Sequence, residues 1–263
     1  MTTIYNPAMA FDPVVSLRII NNERLRNAQG WAEHRDLGGV LAMTSDAPIP
    51  DLNCLEAFNT TEAKLEGLLD IGFALLRAFD CDPAAQLTPL DRPKSVAKHL
   101  ERRGLRATDR WHTMVFRGDV ASIPVNPTID VRRVEPDDVP LFVSLHAGGE
   151  KWVRRLSMSS TLAAINEPGN SFYLAYVEGQ PVATTHLLVD GATAGIYAVG
   201  TQKAHRRQGI ATTLLAAALR DAQAAGCDVI GLRTLAGSDA ERLYRRHGFE
   251  LAHESRLYET PTA

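Results

Sequence analysis

The sequence predicts an α/β protein, with a mixed, mostly antiparallel sheet flanked by helices and a smaller α/β domain ahead of it. Three observations carry that expectation. Strand-like segments alternate with amphipathic helical ones along the whole chain. Residues 172–201 read as three successive strands (172–177, 181–189 and 192–201), with two-residue hairpin signals at Gly179-Gln180 and Asp190-Gly191. A basic, glycine-containing turn then joins the last of these strands to a strong helix at 209–225.

Composition sets the outer limits. At 263 residues the chain can form one large domain or two ordinary ones. Hydrophobic residues at 45% and charged residues at 22% place it among soluble globular proteins. A formal charge of −3 argues against a nucleic-acid partner, because basicity is local here. No apolar run approaches the ~20 residues of a membrane span, so no membrane partner is expected. Cys54, Cys81 and Cys227 are odd in number and lack metal-ligand spacing, which fits neither a disulfide framework nor a metal site. The N-terminus, MTTIYNPAMAFDP, has no basic and apolar targeting pattern, so a cytoplasmic protein is expected, as monomer or homodimer.

Taken in order, 11–29 carries Val14, Leu17, Ile20, Leu25 and Ala28 at helical spacing, as one or two short helices. Residues 34–45 read as a strand and 53–59 as a second. Thr60 is a fitting N-cap for a long helix whose apolar face is Leu65, Leu68, Leu69, Phe73, Leu76 and Phe79. The proline-punctuated 80–93 reads as a loop, 94–103 as a helix stopped by Gly104, and 111–117 as a strand. Residues 121–129 hold two prolines and no periodicity, and serve as a linker between domains at 1–120 and 130–263. The second domain opens with a strand at 129–134 and two helices at 138–147 and 150–165, the first entered through Glu135-Pro136-Asp137-Asp138. After the three strands and the basic turn come a strand at 228–232, a helix at 238–246 and a closing strand at 251–258.

The turn His205-Arg206-Arg207-Gln208-Gly209-Ile210-Ala211-Thr212 carries the chemistry. A strand end feeding a helix start leaves backbone N–H groups without partners at the positive end of the helix dipole. Such a place holds phosphate. Gly209 removes the Cβ that would block an anion, and Lys203, His205, Arg206 and Arg207 raise the local potential.

Arg206-x-x-Gly209-x-Ala211 resembles the pyrophosphate signature of the GNAT acetyltransferase superfamily. Ala240 to Phe249, with Leu243-Tyr244 and Gly248-Phe249, resembles that family's second hallmark. The resemblance covers about 130–259. It implies acetyl-CoA as co-substrate, backbone contacts to it from Arg206, Arg207, Gln208, Gly209, Ile210, Ala211 and Thr212, and strand-like pairing of its pantetheine arm with Val199, Gly200 and Thr201. It implies a further contact from Ser238 and a general-acid role for Tyr244, whose ordinary pKa of ~10 suits a thiolate leaving group. Gln202-Lys203 departs from the apolar-proline pair usual at that place. In the first half, 96–105 followed by a strand echoes 240–249 followed by a strand. Two readings of that echo stay open: a degenerate GNAT-like half with no cofactor site, or the ordinary helix that ends in glycine.

The expected reaction is direct transfer of acetyl to a primary amine in a ternary complex, since no cysteine sits in either motif. The amine must lose a proton. His186, His146 and Glu150 are the nearest candidates, each with a structural role as the plainer reading. A non-catalytic acyl-CoA sensing module is the alternative. An acetyltransferase aimed at charged tRNA is weaker, because the net charge is negative. A fragment starting near Thr128 is expected to keep acetyl-CoA binding and lose acceptor turnover.

Overall fold

In the computed structural model, residues 11–147 and 150–261 are described. The first ten residues, read above for a targeting pattern, lie outside them.

Helix α1 (Pro13–Ala28) is one helix, capped by Asp12, which accepts from the N–H groups of Val14 and Val15 at 2.9 and 3.1 Å. The expected strand 34–45 is instead a hairpin of β1 (Glu33–Asp36) and β2 (Leu41–Thr44). Gly38 and Gly39, at φ 84 and 121°, make the reversal that a continuous strand would have to forgo. Strand β3 (Cys54–Glu56) follows, then α2 (Glu62–Ala78). Thr61, not Thr60, occupies the N-cap position, and no side chain closes that end. Leu65, Leu68, Leu69, Phe73 and Leu76 are buried as the spacing predicts, whereas Phe79 lies past the helix and is exposed.

The segment 80–93 is not all loop. Residues Ala84–Leu87 form β4, between flanking prolines that take nothing from its ladder. Four residues carry too little pattern to be read alone; the strand exists because β11 pairs with it. Helix α3 (Val96–Arg102) and β5 (Arg106–Phe116) complete the first half. Residues 117–129 include a one-turn 3-10 helix at Val120–Ser122. Val120 and Ile123 are buried in the main core, and Asn126 N–H donates to Thr213 Oγ1 at 3.1 Å.

The second half runs β6 (Asp130–Arg133), α4 (Val139–His146), α5 (Lys151–Ala164), β7 (Asn170–Val177), β8 (Gln180–Asp190) and β9 (Thr193–Thr201). Then come α6 (Ile210–Ala224), β10 (Val229–Leu235), α7 (Asp239–Arg246) and β11 (Phe249–Glu259). The hairpin turns fall one residue from their expected places, at Glu178-Gly179 and Gly191-Ala192. In the first of these both residues have positive φ (50 and 77°), the primed geometry that matches strand twist.

Among the described residues the strands form one sheet, ordered β1-β2-β3-β4-β11-β5-β10-β9-β8-β7-β6. All neighbours are antiparallel except β3/β4 and β9/β10. The centre is interleaved: β5 from the first half lies between β10 and β11, and β11 lies between β5 and β4. Both neighbours of β11 therefore precede residue 120. A fragment starting near Thr128 would strip β11 of its whole ladder, which bears against the expectation that it keeps acetyl-CoA binding. Helix α1 lies across the centre of the sheet, where Val15 and Ile19 pack on Val115 of β5 and Val229 of β10. On the other face Ile210, Leu214, Leu215, Ala218 and Ala222 of α6 are buried against the sheet. No described helix is long and apolar enough to cross a membrane.

Candidate active site

The site starts where two parallel strands part. Strands β9 and β10 pair only at Thr193–Gly195 against Val229–Gly231. Beyond Gly195 the chains separate, and the β10-facing edge of β9 is open. A bulge accompanies the separation: Thr184 sits opposite Gly200 and His186 opposite Tyr197, which leaves Ala198 and Val199 together across from Thr185. Ala198 has φ 52°, rare for a residue with a Cβ. Two bonds hold it, Thr184 Oγ1 to Ala198 O at 2.8 Å and Thr185 Oγ1 to Tyr197 O at 3.2 Å. The bulge turns Val199 toward α6 and Ala198 toward α4 and α5.

The chain then winds through a one-turn 3-10 helix at Lys203–His205 into α6. That turn is tied by His205 N–H to Gln202 O at 2.9 Å and by Arg206 Nε to Thr201 O at 3.2 Å. It therefore has internal support without the proline. Arg207 and Gly209 take positive φ, 65 and 79°. Gly209 is the N-cap of α6, with no side chain closing that helix end. The first-turn N–H groups of α6 face outward, unclaimed, with the helix dipole behind them.

These groups line a cleft of about 590 Å³, within the range that holds an extended cofactor-sized ligand. Of the sequence-predicted residues, Val199, Gly200, Thr201, Arg206, Arg207, Gly209, Ile210, Ala211, Thr212, Ser238 and Tyr244 all line it. Gln208 does not; its carbonyl accepts from Asn126 Nδ2 at 3.1 Å. His205, Asp239, Ala240, Leu243 and Arg246 line it too. Sequence reasoning did not assign Asp239, Ala240, Leu243 and Arg246 to the cleft, although Ala240 lies four residues before Tyr244 on the same helix face.

Helix α7 forms the far wall, and it is firmly placed. Ser238 caps it, accepting from Glu241 N–H at 3.1 Å, and lies 3.2 Å from Thr234 Oγ1. The Glu241 carboxylate accepts from Gly237 N–H at 2.6 Å and Arg245 Nε at 2.7 Å, and lies 2.9 Å from His112 Nδ1 of β5. Burial alone would raise its pKa, but those bonds outweigh burial and hold it at about 2. Thr212 Oγ1 meets His247 Nε2 at 3.2 Å, which links the first turn of α6 to the end of α7.

Tyr244 is buried, with its ring 5.7 Å from that of Phe249. Its hydroxyl makes no hydrogen bond among the described residues, though it belongs to the cleft wall. Burial pushes its pKa up to about 12. Tyr244 is therefore a weaker acid than the ordinary phenol that the sequence suggested.

The three base candidates lie elsewhere. His186 is buried, stacked 4.0 Å from Phe172 and bonded to Asn170 Oδ1 at 2.8 Å, and burial holds its pKa well below the usual range. His146 sits between Trp31 and Phe142, lowered to about 4 by burial and then by Arg26. Both line a second, narrow cavity, not the cleft. Glu150 is exposed at the start of α5.

Comparison with known proteins supplies an independent line. Residues 141–249 match the family model described as the acetyltransferase (GNAT) family. Among solved structures, the fold is similar to a GCN5-related N-acetyltransferase from Kribbella flavida at 19% identity, with a TM-score of 0.73 and coverage of 97% of this chain and 98% of that one. A GCN5-related N-acetyltransferase from Sphaerobacter thermophilus aligns at 19% identity, TM-score 0.66, covering 92% and 86%. A tandem GNAT protein from the clavulanic acid biosynthesis pathway aligns at 14% identity, TM-score 0.65, covering 92% and 89%. At such identities the likeness is one of fold. A search of curated protein sequences finds no match.

Proposed function

We propose, from the match of residues 141–249 to the GNAT acetyltransferase family, that this protein moves the acetyl group of acetyl-CoA to a primary amine. The observation that carries the reading is the cleft itself. An uncapped helix start, an open strand edge and an unpartnered tyrosine hydroxyl converge on one space. The N–H groups after Gly209, with Arg206 and Arg207, would hold the pyrophosphate. The free edge of β9 at Val199, Gly200 and Thr201 would align the pantetheine arm, in the way an added strand pairs with a sheet.

Acyl transfer then needs little covalent work from the protein. The amine nitrogen attacks the thioester carbonyl, a C–N bond forms and the C–S bond breaks. Tyr244 donates its proton to the leaving thiolate, and the proton lost by the amine passes to water. No cysteine lines the cleft, which favours direct transfer in a ternary complex over an acyl-enzyme. The free hydroxyl of Tyr244 favours this enzyme over a non-catalytic acyl-CoA sensor, which would have no use for it. Free thiols at Cys54, Cys81 and Cys227 agree with a cytoplasmic setting.

The first half, we propose, is a degenerate copy of the second with no cofactor site. Its order, β3, α2, parallel β4, α3, β5, repeats β9, α6, parallel β10, α7, β11. The start of α2 carries Glu62, bonded to Ser95 and His99, where α6 offers a glycine and cations. A carboxylate at that place repels phosphate.

The test is a thiol-release assay with acetyl-CoA across an amine library. Intersecting initial-rate lines are expected, and parallel lines would replace direct transfer with an acyl-enzyme. Tight acetyl-CoA binding with no release to any amine would favour the sensor.

A further inference from the structure

Helix α7 brings Ser238 and Tyr244 to the cleft, but part of what holds it comes from the first half of the chain. In the register of the sheet, His112 of β5 lies between Thr234 of β10 and Glu254 of β11. Alternation along β5 turns Thr113 toward residues of α1 and His112 toward α7. There His112 Nδ1 lies 2.9 Å from Glu241 Oε1, and Nε2 lies 3.5 Å from Glu254 Oε2. Glu254 is itself paired with Arg256 at 2.8 Å and Arg110 at 3.6 Å.

Glu241, at a pKa of about 2, is ionised and can only accept, so Nδ1 carries the hydrogen. The side chains of His112 and Glu241 are 15% and 8% exposed, so water competes little for this bond. The same carboxylate accepts from Gly237 N–H just ahead of α7 and from Arg245 Nε in its last turn. Those two donors belong to the helix and its lead-in. His112 is the one of the three that ties the carboxylate to the sheet. Tyr244 follows Glu241 by three residues, so the two side chains leave neighbouring positions on the helix. The Tyr244 hydroxyl has no bond of its own among the described residues. Its position is therefore set by the packing of its ring and by where α7 lies.

We propose that His112, a residue of the first half, is a positioning residue for acetyl transfer: through Glu241 it fixes α7 and so places the Tyr244 hydroxyl. The proposal rests on the acetyltransferase reading and gives the first half a part in the chemistry. Placement matters because a shift of about 1 Å at a proton donor can cost ~10²-fold in rate. Strand β5 lies between β10 and β11, so the donor sits beside the catalytic helix only because the two halves interleave.

The experiment uses the full chain and single-turnover thiol release at saturating acetyl-CoA, with an amine found in the library. His112→Leu removes the donor and should slow this step by ~10-fold, a part of what Tyr244 contributes. Acetyl-CoA affinity by calorimetry and the KM for the amine should stay within ~3-fold. His112→Asn puts an amide N–H where Nδ1 stood and should recover most of the rate. In a Tyr244→Phe background, His112→Leu should change the rate by less than ~2-fold, because the hydroxyl it places is gone. A ~10-fold loss in both backgrounds, no loss in His112→Leu alone, or His112→Asn as slow as His112→Leu would each overturn the proposal. His112→Ser replaces His112→Leu if the latter does not fold, and the same outcomes decide. Hydrogen exchange separates this from a failure of the acetyltransferase reading. Whether or not any amine turns over, α7 amides should exchange ~10-fold faster in His112→Leu with those of α6 unchanged. Unchanged exchange at α7 would overturn the proposal.

Discussion

Tyr244→Phe separates chemistry from architecture with unusual clarity here. The substitution deletes one oxygen and keeps the ring, so the contact with Phe249 at 5.7 Å remains. The hydroxyl bonds nothing among the described residues, so no hydrogen bond seen there is broken and stability should change by less than ~1 kcal/mol. Its effect on rate is bounded by its acidity. Burial raises the phenol to about 12, above the ~8.5 of an ordinary thiol, so full proton transfer to the free thiolate is uphill and the phenol assists as the C–S bond breaks. The contribution should therefore lie near the lower end of the ~10²–10⁴-fold range for general acids. A loss of ~10²-fold corresponds to about 2.7 kcal/mol of transition-state stabilisation. The assay is single-turnover thiol release at saturating acetyl-CoA and amine, where product release cannot mask the step. The raised pKa also fixes the pH profile: Tyr244 stays protonated up to about pH 12, so wild-type kcat should show no basic limb from it below ~11. An unchanged single-turnover rate in Tyr244→Phe would refute the general-acid role. A basic limb near pH 9–10 that vanishes in the variant would refute the effect of burial.

Gly209→Glu has space for its Cβ, whose nearest atom would be Asn126 Cβ at 3.8 Å, but sits at φ 79°. It should cost ~1–2 kcal/mol of stability and weaken acetyl-CoA by ~10²-fold through charge repulsion at a few ångströms, whereas Gly209→Ala shares the strain without the charge. Calorimetry on the pair gives the contrast, and equal affinities would contradict the placement of the pyrophosphate. His253 is buried with Nδ1 unpartnered, and burial, then Arg233, lowers its pKa to about 4. A folded value below the unfolded ~6.5 means the stability is complete above pH 6.5 and falls as pH drops toward 4, by about 2 kcal/mol between pH 7 and 5. Urea denaturation of wild type and His253→Gln at both pH values should show a smaller loss in the variant; equal losses would contradict it. A fragment of residues 128–263 should fail to give a soluble, cooperatively melting species, because β11 loses both β4 and β5. A two-state melt of that fragment would contradict the interleaved sheet.

The parts legible in the sequence were those fixed by local chemistry. The apolar faces of α2 and α6 follow helical spacing, and the turn at Gly209 announces itself by charge and glycine next to a strand end. What stayed hidden depends on residues far apart. Strand β4 offers only Ala-Ala-Gln-Leu among prolines, and its identity comes from β11, more than 160 residues later. The exchange of β5 and β11 leaves no trace in either strand, because each shows the same alternation whichever neighbour it takes. The hairpin at Gly38-Gly39 was readable from its two glycines but was obscured by the apolar residues that follow. Arg26 carries no signal in the sequence; only the fold brings it beside Trp31, His146 and Ala198.

The central claim is that one cleft per chain, at the start of α6, takes acetyl-CoA, and that the first half takes none. Titration of the full chain with acetyl-CoA by calorimetry addresses it directly. The account predicts one molecule bound per chain, with affinity that weakens as salt rises, because the phosphates are held by Arg206, Arg207 and the helix dipole. No binding, or two molecules per chain, would contradict it.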